Sequence, residues 1–203
     1  NTAVIGKWHL KTEPLGFDHW EIFPGQGNYY NPVFLQMDGS RKRFEGYATV
    51  LTTDKALAWL DSRDTSKPFF LMCQHKAPHR TFAPALRHLG AFDDVDIPRP
   101  DSLFDNYANR SPTLARNEME IDRHMDPNYD LFVDLTADFT GTPIQKRQDR
   151  SARNNMKRMS AAQMKAWRAH YGPRDEAFHK AKLKGKDLVR WKYQRYAKNY
   201  LRC

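Results

Sequence analysis

Two short clusters of lysine and histidine carry the residues of this sequence that are best suited to chemistry. The first is GKWHL, residues 6–10, and the second is HKAPHR, residues 75–80; each directly follows an apolar run. A lysine ammonium is a compact charge, and an imidazole exchanges a proton near neutral pH. This combination suits an ester of sulfate or phosphate, because cations bind the non-bridging oxygens and an imidazolium protonates the leaving oxygen.

The position of the clusters strengthens this interpretation. Both begin where a predicted strand ends, and ligands of open α/β sheets bind outside the carboxyl ends of the strands. His75 and His79 also have the spacing of zinc ligands on one helical face. Pro78 lies between them, however, and no glutamate follows His75, so the pattern argues against zinc. A lysine or histidine after a strand is also ordinary surface chemistry, so on the residues alone anion-ester chemistry is one of two open interpretations.

Composition restricts the partners without choosing one. The chain has 203 residues, a net charge of +9 and a pI of about 9.6, which favours anionic partners. Of its 33 lysines and arginines, 18 lie between Lys146 and the end. They fit either solvated helices or a nucleic-acid-binding surface over Lys146–Arg202. The aromatics that would stack on bases there fit a core stripe equally well by their helical spacing: Trp167, Tyr171, Trp191, Tyr193, Tyr196 and Tyr200. No apolar run is long enough to predict a membrane span.

The pattern along the first half of the chain predicts an α/β fold with a largely parallel sheet. We expect a strand at 2–5, a turn-rich excursion over 12–47 with a hairpin turn at 37–40, and a helix from Thr53 or Asp54 to near Arg63. The run at 68–73 predicts a strand that is buried on both faces, in which Cys73 is a buried apolar residue.

The second half predicts helices. Their expected ranges are 113–125, then 161–171, capped by Ser160 and ended by Gly172-Pro173, and a last helix from about Lys186. The sequence at 126–150 gives no clear pattern. Because the chain begins inside a strand pattern without Met and stops inside a helical pattern, we expect an interior fragment of a longer protein.

Two stretches of the sequence resemble a known enzyme family. AVIGKWHL, residues 3–10, is similar to the second signature of the type I, formylglycine-dependent sulfatases of the alkaline-phosphatase-like superfamily, and PFFLMCQHKAPHRTF, residues 68–82, to a later segment. The loops between and after them resemble bacterial mucin-desulfating and N-acetylglucosamine-6-sulfatase members. The resemblance implies an alkaline-phosphatase-like sheet with flanking helices and long active-site loops. Residues 1–203 would then form the central part of one catalytic domain, truncated at both ends.

The resemblance also implies roles for individual residues. Lys7 matches the lysine that bridges sulfate and formylglycine, His9 the histidine that hydrogen-bonds the formylglycine hydroxyl, and His79 a histidine near the ester oxygen. We expect these to be catalytic. The remaining candidates are expected near the substrate: His75, Arg80, Trp20, Tyr29 and Tyr30. Packing inside loops is an equal alternative for the last four.

The family's cofactors are calcium and the formylglycine made from a cysteine in Cys-x-Pro-Ser-Arg. Neither that motif nor the acidic calcium ligands match this chain, because Cys73 precedes Gln-His-Lys and Asp93-Asp94 lies in another context. We therefore expect the fragment alone to be inactive and to have no metal ligands of its own. The parent is expected to desulfate a carbohydrate such as 6-O-sulfated N-acetylglucosamine, in the periplasm or outside the cell, with no nucleic-acid or membrane partner. The alternatives are a phosphodiesterase or phosphonate hydrolase of the same superfamily, and the basic nucleic-acid-binding fragment.

Overall fold

A computed structural model describes residues 1–118, 120–133 and 143–203. The chain divides into two compact units. Unit 1 consists of residues 1–79 and 155–159, and unit 2 of residues 80–154 and 160–203. Each unit has its own set of elements, and the two are described separately here.

Unit 1 is built on a five-stranded mixed sheet of order β4-β3-β2-β1-β5. Strand β1 is parallel to both β2 and β5, whereas β3 pairs antiparallel with β2 and β4. This arrangement confirms the predicted α/β class, but two of the four strand pairings are antiparallel, so the sheet is mixed rather than largely parallel. The strands are β1 (Thr2–Trp8), β2 (His19–Pro24), β3 (Val33–Gln36), β4 (Arg41–Arg43) and β5 (Phe70–Gln74).

The turn-rich segment at 12–47 contains more regular structure than its sequence predicts. It forms β2, β3 and β4, and the hairpin turn predicted at 37–40 is confirmed between β3 and β4. In that turn the Ser40 backbone N–H donates to Asp38 Oδ1 at 2.8 Å. The strands escaped prediction because they are only 6, 4 and 3 residues long and lie between glycines and prolines.

Gly6 is the residue that allows β1 to continue into the first cationic cluster. Its φ is +113°, and a Cβ at this position would lie 2.0 Å from the backbone oxygen of Gln74 on β5. No other residue type fits both the backbone conformation and the close approach of the neighbouring strand. The strand therefore extends beyond the predicted residues 2–5, to Trp8.

The prediction that the strand at 68–73 is buried on both faces is wrong. Strand β5 lies at the edge of the sheet, and the side chains of Phe69 and Phe70 are 49% and 55% exposed. Cys73, predicted as buried, is also exposed. Helix α1 packs against β1 and β5 on one side only, so the apolar run covers one face rather than two.

Helix α1 (Ala48–Ser62) begins earlier than predicted from Thr53 or Asp54 and ends next to Arg63 as expected. Its N-cap residue, Tyr47, makes no side-chain capping hydrogen bond. Instead the Ala48 N–H donates to the Tyr29 carbonyl at 2.8 Å. A tertiary contact thus satisfies the first backbone donor of the helix, which begins before the predicted capping residues.

Unit 2 is largely helical in its described residues. Ser160 caps α4 in a capping box with Gln163, which confirms that predicted start, but the helix continues through Gly172 and Pro173 instead of ending there. Directly after Pro173, the Arg174 side chain donates to the His170 carbonyl of the preceding turn at 2.6 Å. The predicted helix at 113–125 is shortened to one turn. The helices are α2 (Pro112–Ala115), α3 (Pro143–Met156), α4 (Ala161–Ala181) and α5 (Gly185–Arg202), with 3₁₀ turns at Leu86–His88 and Asp101–Phe104.

Candidate functional site

The two cationic clusters leave the sheet side by side in unit 1. The parallel register pairs Gly6 of β1 with Gln74 of β5. Lys7 and His75 each follow one residue later, so both clusters start at the carboxyl-terminal end of the parallel strands. This register agrees with the sequence-based expectation that the two strands bring their cations to the same end of the sheet.

Gln26 connects the clusters. Lys7 Nζ donates to the Gln26 side-chain oxygen Oε1 at 3.0 Å, and Lys76 Nζ donates to the Gln26 backbone oxygen at 2.8 Å. Gln26 lies in the loop after β2, which is held to β1 by a hydrogen bond from the Gly25 N–H to the Trp8 carbonyl at 2.9 Å. One residue of this loop therefore binds an ammonium group from each cluster.

Lys7 is a partly buried cation whose hydrogen-bond acceptor, the Gln26 side-chain amide, is neutral. Partial burial lowers its pKa. Within the described ranges no carboxylate forms an ion pair with Lys7, and its hydrogen-bond acceptor is an amide oxygen. An ammonium that has lost part of its hydration without gaining a counter-charge is stabilised by a bound anion.

Lys76 is the buried member of the second cluster. Its residue is 4% exposed, and its Nζ lies 4.8 Å from the centre of the Tyr29 ring. The aromatic face and the Gln26 carbonyl both stabilise the buried ammonium. Lys76 also fixes the loop that follows, because its carbonyl accepts a hydrogen bond from the His79 N–H at 3.0 Å.

The backbone of His79 is held at both ends while its residue is exposed. Besides the N–H bond, the His79 carbonyl accepts a hydrogen bond from the Tyr29 hydroxyl at 2.6 Å. His9, two residues after Lys7, is exposed as well. The structure thus joins Lys7, Gln26, Lys76 and His79 by direct contacts, with His9 on the extension of β1.

The aromatic candidates pack inside unit 1. Trp20, Tyr29 and Tyr30 are 3%, 0% and 3% exposed. Trp20 belongs to an apolar cluster with Val4 and Ile22, and Tyr29 stacks on Tyr47 with ring centres 5.9 Å apart. These contacts favour the packing interpretation over sugar contact, because a ring stacks on a sugar only through an exposed face. Tyr29 acts on the site through its hydrogen bond to His79.

His75 and Arg80 have local partners. The His75 Nε2 atom lies 3.7 Å from Cys73 Sγ, on the same strand end. In unit 2, the guanidinium of Arg80 binds the carboxylate of Asp130 through Nε and NH2, and this pairing raises the pKa of Arg80. That ion pair occupies the donors that the sequence interpretation assigned to a substrate.

Two contributors were missed at the sequence level. Lys76 belongs to the HKAPHR cluster, but the chemical interpretation rested on the histidines and on Lys7. No spacing rule indicates which cation of a cluster is buried. Gln26 stands in a glycine-rich turn, PGQG, that predicts a loop and nothing about the loop's partner. Only the pairing of β2 with β1 brings it to both lysines.

Several arginines of unit 2 pair with carboxylates of the same unit. Arg195 is 7% exposed and pairs with Asp175 at 2.8 Å, while Asp93 binds both Arg174 and Arg202 at 2.6 Å. The rings of Trp167 and Tyr171 are buried against Phe132. Buried aromatics and paired arginines are typical of a core, so these contacts do not favour the nucleic-acid interpretation.

Among residues 1–118, 120–133 and 143–203, no group of three His, Cys, Asp or Glu side chains is arranged to hold a metal ion. The described residues therefore do not fit a calcium site, and Cys73 does not stand in a formylglycine motif. In the same part of the chain, none of the helices has the length and apolar character that crossing a bilayer requires.

Comparisons with known proteins agree with the geometry. The chain is 41% identical over 203 residues to an N-acetylglucosamine-6-O-sulfatase of Bacteroides thetaiotaomicron, and 32% identical over 94 residues to the N-acetylglucosamine-6-sulfatase of Homo sapiens. These alignments cover 98% and 44% of this chain, but 35% and 17% of the relatives. The chain thus spans about a third of the bacterial relative.

A solved structure is also similar. It holds a protein in complex with its substrate D-glucosamine-2-N,6-O-disulfate, and it matches with a TM-score of 0.85 and 41% identity over 99% of this chain and 40% of that one. The observed sheet and flanking helices are therefore those of an alkaline-phosphatase-like sulfatase. The sulfatase family model matches residues 1–155, and this chain belongs to the sulfatase family.

Proposed function

We propose that this chain supplies the sulfate-binding cations of a carbohydrate sulfatase, whose substrate is a sugar with a 6-O-sulfated N-acetylglucosamine. The observation that carries the proposal is the double attachment of Lys7 and Lys76 to Gln26, at the carboxyl ends of two adjacent parallel strands. The substrate class follows that of the relatives. In a sulfatase of this class, calcium and formylglycine are supplied by parts of the protein outside the described residues, and we expect the protein to act in the periplasm or outside the cell.

The reaction transfers a sulfo group to water. It breaks the bond between sulfur and the sugar oxygen and releases the alcohol and inorganic sulfate. Lys7 binds a non-bridging oxygen of the sulfo group, and its charge is more effective because water is partly excluded around it. The bound anion in turn restores the counter-charge that Lys7 lacks.

The histidines move protons at the two ends of the broken bond. His79 donates a proton to the departing sugar oxygen, and the two hydrogen bonds on its backbone keep its position fixed. We assign His9 to the side of the attacking oxygen, because it follows Lys7 by two residues just beyond the end of β1. His75 is a neighbour of this centre through its contact with Cys73.

The proposal is tested with the whole protein and a 6-O-sulfated N-acetylglucosamine, by measuring inorganic sulfate released. We expect Lys7→Gln to lower kcat/KM by about 100-fold or more, the loss seen when one group that stabilises the transition state is removed. Lys42→Gln, which removes an exposed lysine of β4 in the same unit, is the matched control and is expected to stay within about twofold of the wild type. Equal activities of the two variants would contradict the role of Lys7.

A change of leaving group separates His79 from His9. The aryloxide of an aryl sulfate leaves without being protonated, so His79→Gln is expected to impair hydrolysis of the sugar sulfate much more than hydrolysis of the aryl sulfate. His9→Gln should impair both substrates alike. A phosphate diester, assayed in parallel, tests the phosphodiesterase alternative: turnover of the diester without release of sulfate from the sugar would overturn the proposal.

A further inference from the structure

A second group of cations in unit 1 lacks carboxylate partners. Arg158 NH2 donates to the Asn31 carbonyl at 3.3 Å, and Arg43 NH2 donates to the Arg158 carbonyl at 2.7 Å. In the part of the chain that the structure describes, neither Arg41, Arg43 nor Arg158 forms an ion pair with a carboxylate. Two guanidinium groups therefore lie close together with backbone oxygens as their acceptors.

Burial makes this arrangement costly. The Nε atom of Arg158 is buried, and no described residue accepts a hydrogen bond from it. Burial, and then the charge of Arg43, lower the pKa of Arg158. A half-buried guanidinium beside a second positive charge is a group whose free energy falls when an anion binds.

Two of these arginines line a cavity with room for a ligand. Arg41 and Arg158 line a cavity of about 290 Å³, together with the apolar side chains of Phe23 and Leu35. Gly27 forms part of the wall with a φ of +62°, and a Cβ there would lie 2.4 Å from the Phe23 ring. The loop can therefore close on Phe23 only with glycine at this position, and cationic and apolar walls together suit the charged group and the ring of a sulfated sugar.

The same loop links the cavity to the lysine site. Gln26 holds Lys7 and Lys76, and Gly27 and Asn28 line the arginine cavity. The Cα atoms of Gln26 and Asn28 are at most about 7 Å apart, since consecutive Cα atoms are separated by about 3.8 Å. The two cationic sites are thus neighbours along one loop.

We propose that Arg41 and Arg158 form a second anion subsite, which binds another sulfo group of the glycan whose ester is hydrolysed at the lysine site. The identity of the glycan rests on the proposed function, whereas the anion subsite does not. A sulfo group presents several oxygens to the two guanidinium groups, and the charge-assisted hydrogen bonds replace the missing carboxylates. The subsite would select substrates with more than one sulfo group.

The test compares two substrates of the whole protein: a monosulfated 6-O-sulfo-N-acetylglucosamine and a fully sulfated disaccharide that contains the same ester. We expect Arg41→Gln to lower the ratio of kcat/KM between the disaccharide and the monosaccharide by about tenfold, the size of one charge-assisted hydrogen bond. Lys42→Gln removes the same charge from the adjacent residue, whose ammonium lies 5.2 Å from the Phe44 ring, and should keep the ratio. An unchanged ratio in Arg41→Gln overturns the subsite.

Calorimetric binding separates this proposal from the proposed function, because it needs no turnover. In the Lys7→Gln background, Arg41→Gln is expected to weaken binding of the disaccharide by about tenfold more. If that loss is seen while the wild type releases no sulfate, the subsite stands and the proposed function fails. If Arg41→Gln weakens binding of inorganic phosphate but not of the disaccharide, the cavity binds a free anion and the glycan assignment is overturned.

Discussion

Unit 1 and the helices of unit 2 are both rich in cations, but the groups that accept hydrogen bonds from these cations differ in charge. In unit 1, Lys7 donates to a side-chain amide oxygen, and Arg158 donates to a backbone carbonyl. In the helices, Arg195 is held by Asp175, and Arg202 by Asp93. Net charge alone does not distinguish these regions, whereas the chemistry of the acceptor does.

The difference teaches where an anion can bind. A carboxylate neutralises the arginine that it holds, so little attraction is left for a ligand. A neutral oxygen fixes a cation and leaves its charge in place. In unit 1, Lys7 therefore keeps its charge available for an anion, whereas in unit 2 the paired arginines stabilise the fold. The following predictions, from the largest expected effect to the smallest, test this contrast.

Arg195→Gln should destabilise the protein by about 3 kcal/mol or more, because it leaves Asp175 without its buried partner. Burial lowers the pKa of Arg195 despite that carboxylate, so the buried guanidinium depends on Asp175 to stay charged. Urea unfolding measures the change, and affinity for a sulfated sugar measured below the transition should stay unaltered. A stable variant with weakened sugar binding would reverse the assigned roles of the two regions.

Gly6→Ala should destabilise unit 1 by about 3 kcal/mol, from the positive φ and from the collision with the Gln74 oxygen. Gly172→Ala is the comparison change in helix α4, where nothing lies within 4 Å of the added Cβ apart from the chain neighbours and the helix's own backbone. Its expected effect is below about 1 kcal/mol, because the higher helix propensity of alanine and the contact of its Cβ with the ring of Pro173 act in opposite directions. Thermal unfolding of both variants gives the comparison, and similar shifts of Tm would show that β1 tolerates a side chain at this point.

Acid should weaken the helical region through His170. Burial lowers the pKa of His170 to about 4, well below its ordinary value of 6.5. Between those pH values the unfolded chain binds a proton that the folded chain does not, so stability falls as the pH drops from about 6.5 to about 4. Because the ring is partly solvated, we expect a loss of about 1–2 kcal/mol, measured by urea unfolding across this range. His170→Gln should flatten the pH dependence; a slope equal to that of the wild type would exclude His170 as its source.

Tyr29→Phe is expected to have the smallest effect, about 1 kcal/mol of stability, since it removes the hydroxyl that donates to the His79 carbonyl. Because this bond positions His79, kcat for a sugar sulfate should fall several-fold while that for an aryl sulfate changes less. Tyr30→Phe, a buried tyrosine of the same segment, serves as the control. Equal effects of the two variants on both substrates would assign Tyr29 to packing alone.

Much of the fold and part of the site could be predicted from the sequence because their determinants are local. An apolar run ending in Gly6-Lys7 predicts a strand followed by a cation, and Ser160 with Gln163 predicts the start of α4. The start of α1 could not be predicted, because the carbonyl of Tyr29 replaces the capping side chain. The continuation of α4 beyond Pro173 likewise depends on packing, including the stack of Phe178 on Trp191 at 3.9 Å.

The sequence by itself determined β1 and β5, the two cationic clusters and the kind of ester that they suit, since these follow from short patterns of residue types. Only the tertiary structure decided which cations pair with a carboxylate and which donate to a neutral oxygen. It brought Gln26 to Lys7 and Lys76, and it turned Arg80 to Asp130. Those choices depend on which distant segments meet, and local sequence holds no information on the acceptor that each cation finds.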